Sequence, residues 1–278
     1  MNVKQILADQ GFRFNKQFGQ NFITDTNLLQ AMVQDAGVTE SDTVLEIGAG
    51  AGTLTRALAQ TARRVVAFEI DRNLMPVLDR TLQGLDGKVE VVLRDIMQVG
   101  DTELDAILDG SYKVVANLPY YITTPILMRF LERRNKPLSA TVMIQKEVAQ
   151  RLVAPPACAD YGVITLAIAL EGDARVMRQV PRQMFCPQPN VDSAIVRIDL
   201  HDRYADADKA AVKRAVTAGF AMRRKTLANN LIHAYRLPRE RIERILQDLG
   251  LSATVRGETL DLQTYLALSA RLAQAQSE

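Results

Sequence analysis

The sequence predicts an α/β fold, a mostly parallel sheet flanked by helices, followed by a small all-helical domain. Three observations carry this. Over the first ~200 residues, short Val/Ile-rich runs alternate with helical patterns, as βα units do. A glycine-rich turn, Gly48-Ala-Gly-Ala-Gly52, sits between the first of these runs and a helical pattern. After His201 no β-rich run remains, and the patterns are helical with breaks near Pro238 and Gly250. The expected boundaries are 1–202 for the sheet domain and 203–278 for the helical one.

In order, strands are expected at 43–47, 64–68, 89–93, 112–116 and 141–144. A late strand at 193–198 is expected to pair at an antiparallel edge. Helices are expected at 53–61 and 72–82, the second accommodating Pro76 near its first turn. A chain of 278 residues that is 47% hydrophobic and 24% charged can bury a sizeable core. It contains no run of 18 apolar residues, so no membrane span is expected. The N-terminal stretch lacks both an apolar signal region and transit-peptide character, and a cytoplasmic monomer is expected. Cys158 and Cys186 lie far apart without a Cys-x-x-Cys pattern, and the two histidines, His201 and His233, sit in no ligand-like cluster. No metal site is expected.

The net charge is only +2, but residues 213–244 hold nine lysines and arginines against Glu240 and Glu243. Such asymmetry suits a polyanionic partner and equally a solvated helix face. Charge alone leaves both open.

The glycines at 48, 50 and 52 follow a strand and precede a helix, which lets the backbone turn sharply and a ligand lie against it. Glu69 ends the next strand, ~20 residues on, where a carboxylate can accept hydrogen bonds from ribose hydroxyls. Asp95 ends the third strand, where it can accept from an adenine amine or cap a turn. The pattern is GxGxG, with Thr53 where a dinucleotide fingerprint would place glycine. Glycines and two acids ending three successive strands suit S-adenosylmethionine better than NAD.

The fourth strand runs into Asn117-Leu118-Pro119-Tyr120. The lone pair of an adenine N6 amine is delocalised into the ring, so two acceptors aimed at its hydrogens would localise it for methyl transfer. The Asn117 side-chain oxygen and the Leu118 carbonyl can be those acceptors. Pro119 stiffens the loop and removes a competing donor. Tyr120 offers a face on which a flipped base stacks. Transfer from a sulfonium needs no metal and no covalent intermediate, and much of the rate comes from holding nitrogen and methyl at attack distance.

These residues resemble the ribosomal RNA adenine N6,N6-dimethyltransferases. Asn117-Leu118-Pro119-Tyr120 is similar to the amino-methyltransferase motif in its NLPY form. Phe18-Gly-Gln-Asn-Phe22 resembles the family's FGQNFL segment, Phe185-Cys-Pro-Gln-Pro-Asn-Val-Asp-Ser193 its FxPxPxVDS segment, and residues 220–231 its FxxRRKTLxNNL segment. The resemblance spans about residues 12–260. It is closest to the bacterial branch, linked to kasugamycin sensitivity, that dimethylates two adjacent adenosines near the 3′ end of 16S rRNA. It implies a Rossmann-like class I methyltransferase sheet with a small helical C-terminal domain. It implies cofactor contacts at Asn21, Ile23, Gly48, Glu69, Asp95 and Asn117, with Ile23, usually Leu in the family, acting through its backbone. It also implies that Phe185 stacks on the target base opposite Tyr120.

Read without the family, segment 18–22 suits a helix-capping stretch better than a cover over the cofactor with Gln20 and Asn21 as polar contacts, and Phe185 is as compatible with a core position as with a stacking one. Arg223, Arg224 and Lys225 are adjacent and cannot all face a core, so phosphate contact is a natural use for them. Arg133, Arg134 and Lys136 extend that surface or are simply solvated. The expected partner is 16S rRNA inside the small (30S) subunit or its precursor, because phosphate attraction alone is unspecific. The alternatives are a macrolide-resistance type of large-subunit rRNA methyltransferase, a non-catalytic assembly factor, and a nicotinamide oxidoreductase.

Overall fold

The computed structural model describes residues 3–12, 14 and 19–277; Phe18 of the N-terminal motif lies outside the described residues. The elements are, in chain order, α1 (Val3–Asp9), β1 (Phe22–Ile23), α2 (Thr26–Asp35), β2 (Thr43–Ile47), α3 (Thr53–Thr61), β3 (Arg64–Glu69), α4 (Met75–Thr81), β4 (Val89–Leu93), α5 (Asp101–Leu108), β5 (Tyr112–Asn117), α6 (Thr123–Glu132), β6 (Ser139–Gln145), α7 (Lys146–Leu152), α8 (Val163–Ala169), β7 (Gly172–Val180), β8 (Phe185–Cys186), β9 (Ser193–Leu200), α9 (Lys209–Phe220), α10 (Leu227–Tyr235), α11 (Arg239–Asp248) and α12 (Leu262–Ser277).

Seven strands form one sheet in the order β4-β3-β2-β5-β6-β9-β7. β2 pairs in parallel with both β3 and β5, β3 with β4, and β5 with β6. β9 then pairs antiparallel to β6 along its whole length, from Ser139↔Asp199 to Gln145↔Ser193. The expected late antiparallel strand is therefore present, but the sheet edge is β7, which the sequence hides. Its run Gly-Asp-Ala-Arg-Val-Met-Arg-Gln-Val carries charge and has no clean inward–outward alternation.

The central strands are continuous apolar runs because helices cover both faces of the sheet. Every residue of β2 is buried. One layer packs Met32 and Val33 of α2 and Leu58 of α3 against Val44, Val65, Val115 and Met143 of the strands. A smaller cluster joins Ile6 and Leu7 of α1 to Phe22, Ala67, Leu74 and Leu78. The region expected to be helical at 72–82 begins as a 3-10 turn at Arg72–Leu74, capped by Asp71, before α4 takes Pro76 into its first turn.

Contacts divide the chain into Met1–Ala149 with Ala174–Leu200, and Gln150–Asp173 with His201–Glu278. The expected boundary at residue 202 thus leaves out one piece of the helical unit. Tyr161, Leu166 and Leu170, in and around α8, are buried in the same apolar cluster as Val212, Leu231, Ile242 and Tyr265. Hydrophobic burial, not chain order, decides membership.

In that unit the 220–231 motif separates into parts. Thr226 caps α10 by accepting from the Asn229 N–H at 3.4 Å. The buried Asn230 side chain donates to the Gly219 carbonyl at 2.9 Å and the Met222 carbonyl at 3.3 Å, which fixes the loop before α10. Gly219 is required for close approach: a Cβ there would lie 2.2 Å from Tyr265 Oη, whose hydroxyl donates to the Gly257 carbonyl at 3.0 Å. Gly219→Ala is expected to destabilise the protein by about 1–3 kcal/mol through overpacking, read as a lower urea midpoint at unchanged slope.

Candidate active site

The sheet order reverses at β2, since β3 lies on one side and β5 on the other. Loops leaving the carboxyl ends of strands on either side of such a point diverge and leave a crevice. Here it has two lobes. One, of about 750 Å³ with its open mouth, is lined by Gly19–Ile23, Glu46, Gly48–Ala51, Glu69 and residues 117–121. The second, of about 500 Å³, shares Gly48, Glu69, Ile70, Pro119 and Tyr121 with the first and adds Asp95, Ile96 and Met97.

The glycine turn is shaped from both sides. The Gly48 and Ala49 N–H groups donate to the Phe68 carbonyl at 2.9 and 3.0 Å. Gly50 has φ +58°, and a Cβ there would lie 2.9 Å from the Phe22 ring. Only glycine meets both demands without displacing the N-terminal segment.

Glu69 sits where the lobes meet and is buried. One carboxylate oxygen accepts from the Gly50 N–H at 2.7 Å; the other accepts from the N–H groups of Ile70 and Asp71 at 2.7 and 2.8 Å. Burial raises its carboxyl above the ordinary value, and the three N–H donors pull it back in part. Three N–H donors fill three of the roughly four acceptor sites of a carboxylate, which leaves one free on the Gly50 side. Asp95 serves as a cap, accepting from the Met97 N–H at 2.9 Å through Oδ1, and it lines the second lobe as well. Of the two readings open in the sequence, the structure realises the cap, and it leaves Asp95 at the wall of the second lobe.

Segment 19–23 crosses this crevice. Asn21 Nδ2 donates to the Gly19 carbonyl at 3.1 Å, and Gln20 donates to the buried Asp71 at 2.7 Å. β1 then pairs antiparallel with β8, Phe22 opposite Cys186 and Ile23 opposite Phe185. Two motifs ~160 residues apart in sequence are thus one structural element. Ile23 is buried, and its carbonyl accepts from the Thr53 hydroxyl at 3.3 Å.

Asn117 ends β5 and lines the first lobe. Its Nδ2 donates to the Asn21 carbonyl at 2.9 Å. The Leu118 N–H donates to the Met143 carbonyl at 3.1 Å, while the Pro119 carbonyl accepts from Ile122 N–H and the Thr123 hydroxyl as α6 begins. The Tyr120 hydroxyl bonds to the fully buried Ser193 at 2.7 Å, so the last residue of the 185–193 segment fixes the tyrosine. Phe185 does not line the crevice. Its ring is 5% exposed and packs with Ile23, Met143 and Ile195, so the core position, not the stacking one, is what this structure presents.

Arg223, Arg224 and Lys225 are exposed on the loop between α9 and α10, with Arg223 reaching the Ala159 carbonyl at 3.2 Å. The suggested extension through Arg133 is corrected. Arg133 is buried, paired with Asp105, donates to the Tyr112 hydroxyl at 3.0 Å and lies over the Tyr112 ring.

Sequence reasoning missed Glu46. It lines the first lobe from β2 and is 1% exposed, and its Oε2 has no hydrogen-bond partner among the described residues. Burial pushes its carboxyl from 4.5 up to about 8; Thr55 offsets part of this without reaching hydrogen-bond geometry, and Glu69 on the next strand adds to it. An acid inside an apolar strand was the available signal, since buried charge without a partner is rare in a core.

Glu46, Glu69 and Asp95 line the crevice with carboxyl groups, acceptors that suit a cation and offer a pyrophosphate no donor. That separates it from a nicotinamide site, and the Asn117 loop at its edge has no role in hydride transfer. Fold and crevice together define a class I, Rossmann-like methyltransferase. The chain belongs to the ribosomal RNA adenine dimethylase family, whose model matches residues 11–273. It is 44% identical to the ribosomal RNA small subunit methyltransferase A of Bacillus licheniformis, over 98% of this chain and 96% of that one. With the protein of the same name from Clostridioides difficile the identity is 42%, over 96% and 93%. Among solved structures, the 23S rRNA methyltransferase ErmE matches at TM-score 0.71 and 28% identity, covering 91% of this chain and all of that one. A dimethyladenosine transferase from Plasmodium falciparum shares the fold at TM-score 0.78 and 24% identity, over 91% and 98%. No described helix is long and apolar enough to cross a membrane.

Glu46 gives a pH signature. Between 4.5 and about 8 the folded chain holds a proton there that the unfolded chain does not, so this contribution to stability is full below 4.5 and is lost as pH rises through 8. Glu46→Gln lacks that loss. Its melting temperature relative to the parent is expected to rise by ~5 °C or more between pH 5 and pH 8.5; a difference that does not change with pH would remove the buried proton.

Proposed function

We propose that this protein transfers methyl groups from S-adenosylmethionine to N6 of two adjacent adenosines near the 3′ end of 16S rRNA, within the small ribosomal subunit or its precursor, giving N6,N6-dimethyladenosine. The observation that carries the reading is the Asn117 amide. Its NH₂ is committed to Asn21, and its Oδ1 has no partner among the described residues at the edge of an acidic crevice.

S-Adenosylmethionine fits the donor set. Glu46 supplies an unsatisfied buried acid for an ammonium group, Glu69 accepts from ribose hydroxyls, and Asp95 accepts from the adenine amine beside Ile96 and Met97. Gly48, the Asn21 side chain and the Ile23 backbone close the lobe around it. When bound, the cofactor supplies an electrophilic methyl group on a sulfonium.

The protein's part is to prepare the amine. Asn117 Oδ1 and the Leu118 carbonyl accept its hydrogens and localise its lone pair. The Leu118 peptide is aligned by its bond to β6 and the loop is stiffened by Pro119. Tyr120, its hydroxyl tied to Ser193, presents a ring of set orientation to a base taken out of its stack. Phe185 acts through Ile23 by holding the β1–β8 pair. The proton leaves to water. No metal is required.

Arg223, Arg224 and Lys225 would contact RNA phosphates from the helical unit, making residues 203–278, with Gln150–Asp173, the ribosome-binding part. The protein would act in the cytoplasm as a monomer, in late ribosome assembly. A large-subunit methyltransferase is the second reading, favoured by the likeness to ErmE but at lower identity than the small-subunit relatives.

Small subunits lacking the modification, incubated with methyl-labelled S-adenosylmethionine, are expected to yield labelled N6,N6-dimethyladenosine. Label on large subunits instead would select the second reading, and no label despite binding would leave an assembly factor. Asn117→Ala is expected to lose ~10²–10³-fold in turnover while keeping part of its cofactor affinity. Replacing Arg223, Arg224 and Lys225 by alanine should flatten the log–log salt dependence of particle binding by about 2–3 and leave cofactor binding unchanged.

A further inference from the structure

The Asn117 side chain is held by a group that can only accept. The Asn21 main-chain carbonyl lies 2.9 Å from Asn117 Nδ2. A reversed amide would set two oxygens against each other at that distance, so only one orientation is compatible with the contact. With the NH₂ end so committed, Oδ1 is left for a ligand.

The carbonyl is itself anchored on both sides. Before it, the Asn21 side chain bonds to the Gly19 carbonyl and Gln20 bonds to Asp71. After it, Phe22 and Ile23 pair with Cys186 and Phe185, and the Thr53 hydroxyl donates to Ile23. A carboxylate at 117 would face this fixed oxygen with a second acceptor, in a crevice already lined by Glu46 and Glu69. A protonated carboxyl would not. It has one donating end and one accepting end, as the amide does.

We propose that the main-chain carbonyl of Asn21 is what demands an amide and excludes a carboxylate at position 117, so that residue 21 is a positioning residue for the amine-accepting oxygen. This rests on the reading of Asn117 as the group that touches the target amine. The N-terminal segment is then part of the catalytic geometry as well as a cover for the cofactor lobe.

The test is Asn117→Asp in the full chain. Single-turnover methylation of undermethylated small subunits is followed from pH 5.5 to 8.5 at saturating S-adenosylmethionine, for variant and parent. Glu46 on β2, Glu69 on β3 and Tyr120 and Tyr121 on the loop face the same lobe, and Arg94 and Asp95 line the adjoining one. Their titration is common to both proteins, so the ratio of rates isolates position 117. The ratio is expected to fall about tenfold per pH unit above the pKa of the introduced group, with the activity of the variant recovered toward the acid end. A ratio that is flat, or that rises with pH, overturns the proposal. A second measurement does not depend on turnover. With Asn21 labelled at its carbonyl carbon and asparagine side chains labelled with ¹⁵N, the parent protein should show a scalar coupling across the hydrogen bond from Asn117 Nδ2 to Asn21; its absence also overturns the proposal. If the parent methylates no adenine, the functional reading fails, while the coupling still decides the contact.

Discussion

Strand order at β2 is the constraint on which the site depends. Because β3 and β5 flank it in parallel, the loops after β2, β3, β4 and β5 all leave the same end of the sheet and separate around one crevice. Everything chemical follows from which residues stand at those ends. Gly48 follows β2, Glu69 ends β3, Asp95 follows β4 and Asn117 ends β5. Strands β2, β3 and β5, mostly buried, leave little freedom to slide. A register shift of one residue would turn each of these groups to the other side of the sheet.

The second organising contact is smaller. The four residues of β1 and β8 form a two-stranded pair that ties the start of the chain to the segment before β9. It places Phe22 against Gly50, sets the Asn21 carbonyl against Asn117, and brings Ser193 into the same segment that buries Phe185. The crevice is closed by backbone pairing on one side and by apolar packing on the other. Polar groups of the proposed site are thereby held without filling the crevice. Glu46 is the exception in kind, a buried acid with an open oxygen, and its raised carboxyl records the cost of waiting without a partner.

The helical unit follows a different logic. Its motif is divided between residues that build the loop and residues that the loop displays. Thr226 and Asn230 face inward to cap and brace, and Arg223, Arg224 and Lys225 are left in solvent. Other cations of the same stretch are structural. Arg214 lies over the Tyr235 ring, and Arg239 bonds to Glu243 and Asn229. A count of basic residues therefore overstates the surface offered to a polyanion.

Strands β2 to β6, the glycine turn, Glu69, Asp95 and the Asn117 loop were legible in the sequence, because each is specified locally. An apolar run, a glycine that must take positive φ, or a carboxylate at a strand end leaves its mark within a few residues. What the tertiary structure alone decided was set by distant partners. β7 is too charged to read as a strand and exists because β9 offers it an edge. Residues 150–173 belong with the helical unit because Tyr161, Leu166 and Leu170 find their apolar neighbours there. Phe185 could have been a stacking ring or a core ring until its pairing with Ile23 buried it, and Arg133 a surface cation until Tyr112 and Asp105 enclosed it. Amphipathic and aromatic side chains carry no address of their own. Their role depends on which surface reaches them, and that information lies in contacts between segments far apart in the chain.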